Sequence, residues 1–224
     1  MKKKIRKLIT VLLISILSIS IWEVSKKQYM YIKSQIEYKK TINEKENSED
    51  LQEYLHDKKY EWLTVTGTAI NYPLVKGTDN EYYLTRNHEG EKSIAGAIYY
   101  DAEDEPYNGK ITAIFGHSMK DGTMFNNLHY FPKDTHKFNE SVLIIDDKTG
   151  TKKYRPLGFA KYKGDNPFYR EVDSMDIYSA VDTLKEKCMY FNNIEINENM
   201  HIIALVTCEY SVDNGRLIVF YISE

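Results

Sequence analysis

The chain has 224 residues, 42% of them hydrophobic and 28% charged, with 11 Gly and 5 Pro, which excludes collagen-like and low-complexity disordered sequence and leaves enough apolar residues for a packed core. Two Cys are too few for a disulfide framework and match no zinc-ligand spacing, so packing must hold the fold together; with no carboxylate cluster specific for calcium no metal is expected, and nineteen Tyr suit a β-rich fold without implying a cofactor. The formal net charge of -3 hides an asymmetry: Lys2, Lys3, Lys4, Arg6 and Lys7 fall in the first seven positions, leaving residues 8–224 with 25 basic against 33 acidic residues, a net of -8 that argues against a nucleic-acid partner.

Behind the basic cluster, residues 8–22 run without a charge until Glu23. As a helix this stretch is about 22 Å long against a hydrocarbon core of roughly 30 Å, and Lys7 and Trp22 extend it by snorkelling and interfacial anchoring. No small-residue cleavage site follows in Glu23-Val24-Ser25-Lys26-Lys27, so the segment reads as an uncleaved signal anchor rather than a cleaved signal peptide. Residues 1–26 are therefore assigned to a basic tail and membrane span, with the tail inside and the rest of the chain outside the cell. Residues 27–60, with Tyr29, Ile32, Ile36, Leu51, Tyr54 and Leu55 at helical spacing, read as a helical stalk interrupted near 43–48.

Residues 61–224 change pattern to short β-rich runs bounded by turn residues, at 62–66, 95–100, 110–115, 141–145, 154–162, 201–207 and 217–222. One long helical stretch, 176–191, places Ile177, Val181, Leu184 and Cys188 on one apolar face. About eight strands with short turns predict a mostly β fold, a closed and mostly antiparallel barrel, with N-terminal helices and a long helix before the last strand pair.

Two strand ends carry chemistry. An apolar strand ends at Gly116 and delivers His117; another ends at Cys208, and eight residues later Arg216 opens the last strand. If these last two strands form a hairpin, Arg216 returns beside Cys208. A thiol is mostly protonated at neutral pH, and a nearby cation creates the thiolate. His117 suits that task and the protonation of a leaving amine. Arg216 keeps its charge and suits holding a carbonyl or an oxyanion. Cys188, on the helix stripe, reads as a core residue. His56, His88, His129, His136 and His201 show no partner pattern and read as surface or packing residues.

Gly116-His117-Ser118, then Leu205-Val206-Thr207-Cys208 and Arg216 behind a basic signal anchor, resemble the sortases, membrane-bound cysteine transpeptidases of Gram-positive bacteria. Tyr72-Pro73-Leu74-Val75, Asp79-Asn80-Glu81-Tyr82-Tyr83-Leu84, Gly96-Ala97-Ile98-Tyr99-Tyr100-Asp101 and Met124-Phe125 are similar to class B phrases, as is the long helix before the cysteine strand. The chain departs from the common T-L-x-T-C pattern in having Ala204 at the first position and Val206 before Thr207, which bears on how the peptide is gripped.

The resemblance implies that Cys208 attacks the Thr carbonyl of a C-terminal sorting motif of LPxTG or NPQTN type, and that a peptidoglycan amine then releases the thioacyl intermediate. His117 would be acid and base, and Arg216 would position peptide and oxyanion. Thr207, Glu209 and Asn80 match positions near the substrate groove. The implied partners are surface proteins bearing sorting signals, the peptidoglycan precursor amine and the cytoplasmic membrane. Two alternatives stay open: a pilin-polymerising sortase that uses a Lys amine, and a catalytically silent binding module on the same barrel. A papain-like protease is disfavoured, because there Cys precedes His.

Overall fold

Forty-five residues, Lys2–Glu46, form one uninterrupted helix, α1. The structure is a computed structural model that describes residues 2–103, 105–164 and 167–224, and the chain divides into two compact units, residues 1–41 and 42–224. In the first unit, α1 is long and apolar enough to cross a membrane. The hydroxyls of Thr10, Ser15, Ser18 and Ser20 donate to the carbonyls of Arg6, Val11, Ile14 and Ile16 at 2.9, 3.0, 2.9 and 2.9 Å. Each polar side chain of the apolar stretch is thus satisfied within the helix, the condition for lying in lipid.

The interruption expected near 43–48 falls slightly later, at 47–50. Asn47 and Ser48 N–H groups close on the Asn43 and Lys45 carbonyls, and Asp50 caps α2, Leu51–His56, by accepting from Gln52 and Glu53 N–H at 2.9 and 3.1 Å.

Among the described residues the second unit has nine strands: β1 (Glu61–Val65), β2 (Asn71–Lys76), β3 (Ile98–Tyr100), β4 (Ile111–Phe115), β5 (Leu143–Asp147), β6 (Gly150–Lys163), β7 (Tyr190–Phe191), β8 (Ile202–Glu209) and β9 (Gly215–Ser223). Their order is β5-β1-β2-β3-β4-β8-β9-β6, and β6 pairs back with β5, closing an eight-stranded barrel; β7 adds two residues to β6. The pairs β2–β3 and β4–β8 are parallel and the other barrel pairs antiparallel, so the expected closed, mostly antiparallel barrel is present. β2 lies outside the β-rich runs read from sequence, because Pro73 breaks the pattern. Pro73 faces Trp62 of β1, and pairing with β3 begins only at Leu74.

The remaining helices, α3 (Thr135–Glu140), α4 (Tyr169–Val172) and α5 (Ile177–Lys187), join two 3₁₀ segments, Tyr82–Leu84 and Phe125–Lys133. Asp176 caps α5, and Ile177, Ala180, Val181 and Leu184 form its buried face. α5 stops four residues short of the predicted end, because Cys188 turns extended (φ -76°, ψ 143°) and the chain goes on to pair as β7.

Both faces of β8 are buried, which explains its unbroken apolar run. Ile202, Ala204 and Val206 pack with Ile111, Ala113, Ile218 and Phe220 beneath α4 and α5. By the two-residue period of strands, Cys208, Arg216 and His117 continue this same outer face, just past the helical cover.

Candidate functional site

β8 and β9 pair antiparallel with Cys208 directly opposite Arg216. Such partners have Cβ atoms about 5 Å apart on one face of the sheet. The parallel ladder of β4 with β8 ends at Phe115 opposite Val206, and two more residues of each chain bring His117 level with Cys208. Gly116 makes the step possible: its N–H donates to the Val206 carbonyl at 3.2 Å and its own carbonyl accepts from the Thr207 hydroxyl at 2.7 Å. A Cβ on Gly116 would stand 2.5 Å from Ile98 Cδ1 and 2.7 Å from Phe125 Cδ2, so no larger residue fits.

His117, Cys208 and Arg216, each half-buried, open together onto one groove of about 210 Å³. His117 Nε2 lies 2.8 Å from the Leu84 carbonyl, which only accepts, so Nε2 carries a hydrogen. Arg216 donates from Nη1 to the Gly215 carbonyl at 2.9 Å, and its guanidinium passes close over Gly164.

Asn80 also lines the groove. Its Nδ2 donates to Asp101 Oδ1 and its Oδ1 accepts from Ala102 N–H, both at 2.8 Å, while its carbonyl accepts from the Tyr99 hydroxyl at 3.2 Å. Asp101 is fully buried and pairs with Arg170. Thr207 lines the groove with its hydroxyl already bound to Gly116. Glu209 lies on the opposite face of β8 and is not a lining residue. Its buried carboxylate accepts from Ser211 N–H at 2.8 Å and from Lys161 Nζ at 2.9 Å. Burial works to raise its pKa, but these two partners outweigh it and hold the carboxyl at about 2.

Both cysteines are free. Cys188 packs against the core under α5, and burial pushes its thiol up to about 12. The groove walls Leu84, Tyr99, Phe115 and Val206 carry no chemistry of their own, and their apolar character alone did not single them out in the sequence. His129, read from sequence as a surface or packing residue, instead sits 3.1 Å from the Cys208 carbonyl. Seventy-nine residues separate the two, so no local spacing signals the contact. Among the described residues, no three His, Cys, Asp or Glu side chains group as metal ligands.

A closed mixed barrel with these groups on one rim groove has the sortase-type fold. The chain matches the sortase domain over residues 63–221 and belongs to the sortase family, whose members are cysteine transpeptidases acting on proteins with sorting signals and on peptidoglycan precursors. It is 32% identical over 166 residues to sortase B of Listeria monocytogenes, covering 70% of this chain and 66% of that protein. It is 30% identical over 165 residues to sortase B of Staphylococcus aureus, covering 70% and 67%. Among solved structures, a Bacillus anthracis protein similar to sortase B aligns with TM-score 0.71 and 27% identity, over 86% of this chain and 96% of that one. A class B sortase of Streptococcus pyogenes involved in pilus biogenesis aligns with TM-score 0.69 and 27% identity, over 80% and 100%.

Proposed function

We propose that this chain is a class B transpeptidase that cuts a C-terminal sorting motif after Thr and transfers the protein to a cell-wall amine. The observation that carries the reading is that side chains from three separate strand ends, Cys208, His117 and Arg216, open onto one groove. With its thiol proton passed to Nδ1 of His117, Cys208 Sγ adds as thiolate to the Thr carbonyl carbon, and the resulting oxyanion is held by the Arg216 guanidinium. With Nε2 bound to Leu84, Nδ1 of His117 is the ring atom that exchanges a proton. It protonates the departing amine as the C–N bond breaks and leaves a thioester on Cys208. An incoming amine gives its proton to His117, forms the new amide and releases Cys208 as thiolate beside the protonated ring, the state from which the cycle began. Asn80, braced by Asp101, and Thr207 shape the peptide-binding wall. The N-terminal helix anchors the enzyme in the cytoplasmic membrane with the catalytic unit outside.

The test is to incubate the protein with LPxTG-type and NPQTN-type peptides and candidate amines, and to read cleavage and ligation products by mass. Cys208→Ala is expected to lower cleavage to about one per cent of wild type or less while leaving the fold intact, since the sulfur acts as the covalent nucleophile. Turnover above that level removes Cys208 from the mechanism. The pilus-related relative favours a second reading, in which a Lys side chain is the amine; ligation to a Lys-bearing peptide in preference to a peptidoglycan amine would select it.

A further inference from the structure

Val206 and Cys208 carbonyls point toward the same edge of β8, because strand carbonyls repeat their direction every second residue. The first is taken by Gly116 N–H at 3.2 Å, the last bond that the β4 side supplies. At Cys208 that side of the ladder has ended. The carbonyl is met instead by His129, from the 3₁₀ segment Phe125–Lys133, whose Nε2 lies 3.1 Å away. A carbonyl only accepts, so Nε2 is the donor.

The other ring nitrogen, Nδ1, is 3.6 Å from Glu209 Oε2, too far for a hydrogen bond. That oxygen is already engaged by Lys161 at 2.9 Å, and Oε1 by Ser211 N–H. The charged groups facing the ring are therefore Glu209 from β8, Lys161 from β6 and Lys133 from its own segment. Burial, with Lys161 and Lys133, outweighs Glu209 and the Cys208 carbonyl and holds the imidazole below its ordinary pKa, which favours the neutral ring with one N–H to place. Lys161, by pairing with Glu209, removes the competing demand at Nδ1 and leaves that hydrogen on Nε2, facing Cys208.

We propose that His129 is a positioning residue for acyl transfer. By replacing the ladder bond that β4 no longer supplies, it fixes the peptide plane after Cys208, and with it the direction in which the Cys208 side chain enters the groove. The inference rests on the reading of Cys208 as nucleophile. It assigns a second imidazole at the Cys208 backbone carbonyl, acting through the peptide plane and not through proton transfer.

The test uses the full chain in detergent, with fluorogenic peptides of LPxTG and NPQTN type, and compares wild type, His129→Gln, His129→Asn and Cys208→Ala. The Gln amide reaches about as far as Nε2 and keeps a donor at the carbonyl; Asn keeps polarity but stops short. Asn is expected to lower kcat about tenfold with KM within about twofold, and Gln to return kcat to within about threefold of wild type, the scale of one backbone hydrogen bond. All variants are expected to unfold at wild-type temperature, which separates positioning from loss of fold. Wild-type kcat in the Asn variant, no recovery with Gln, or a loss carried by KM would overturn the proposal. No cleavage by wild type, or cleavage by Cys208→Ala, sinks the prior reading of the nucleophile instead.

Discussion

Surroundings give residues of one type different roles in this chain. Cys188, packed among apolar side chains with a pKa near 12, is an inert thiol at neutral pH, whereas Cys208 stands half-exposed opposite a guanidinium. The histidines divide the same way. His117 is held by one carbonyl in an open groove, and His129 braces a strand end. His88 is buried against Tyr60, and burial, aided by Lys58, depresses its pKa from 6.5 to about 4. A depressed folded pKa means that folding favours the neutral ring. That contribution is whole above pH 6.5 and drains away as pH falls from 6.5 toward 4, where the unfolded chain takes up the proton first. The midpoint of urea unfolding is therefore expected to drop across this window. His88→Phe, which keeps a ring against Tyr60 but cannot titrate, should flatten that part of the profile; an unchanged profile would place the acid sensitivity elsewhere.

Strands whose two faces are both buried announced themselves in the sequence, and so did the capped, striped helix α5. β2 did not, since a proline sits among its apolar residues. The closing pair β5–β6 and the parallel neighbours β4–β8 join distant stretches that no local period connects. His117, Cys208 and Arg216 could be singled out because strand ends deliver them, Gly then His, Thr then Cys, Gly then Arg, but six His and two Cys allow many accidental pairings, and the family resemblance was needed to join the three. The brace behind the groove was not legible. Arg170 in α4 pairs with the fully buried Asp101, which in turn holds Asn80 at the groove, and these contacts span 69 and 21 residues. Among the described residues, removing the guanidinium leaves the buried carboxylate to the Asn80 amide and the Glu103 N–H. Arg170 is partly solvent-exposed, so water recovers some of the loss. Arg170→Met is expected to cost about 2 kcal/mol in urea unfolding, less than for a fully buried pair. If Asn80 shapes the peptide-binding wall, as proposed, and does not touch the reacting carbonyl, KM should rise while kcat stays within about twofold. A fall in kcat at constant KM would argue that the brace serves the chemistry directly.

On the scale of the whole molecule, charge distribution and function agree. Five cations precede the apolar stretch of α1, and the remainder of the chain is acidic. Cations near a span resist crossing the membrane, so in the proposed orientation the basic end stays in the cytoplasm and everything after the span emerges outside. That orientation places the thiol where cell-wall amines are found. It is open to a direct check that exploits the difference between the two cysteines. Intact cells carrying the full chain are treated with a membrane-impermeant methanethiosulfonate and the labelled peptides identified by mass. Cys208 is expected to react before any lysis, and Cys188, whose thiol is pushed up to about 12, to stay unlabelled in the same sample. A chain bearing Cys208→Ala should take up no label. Reaction of Cys208 only after the membrane is broken would mean that the barrel faces the cytoplasm, and a sortase so oriented has no access to the wall precursors on which its family acts.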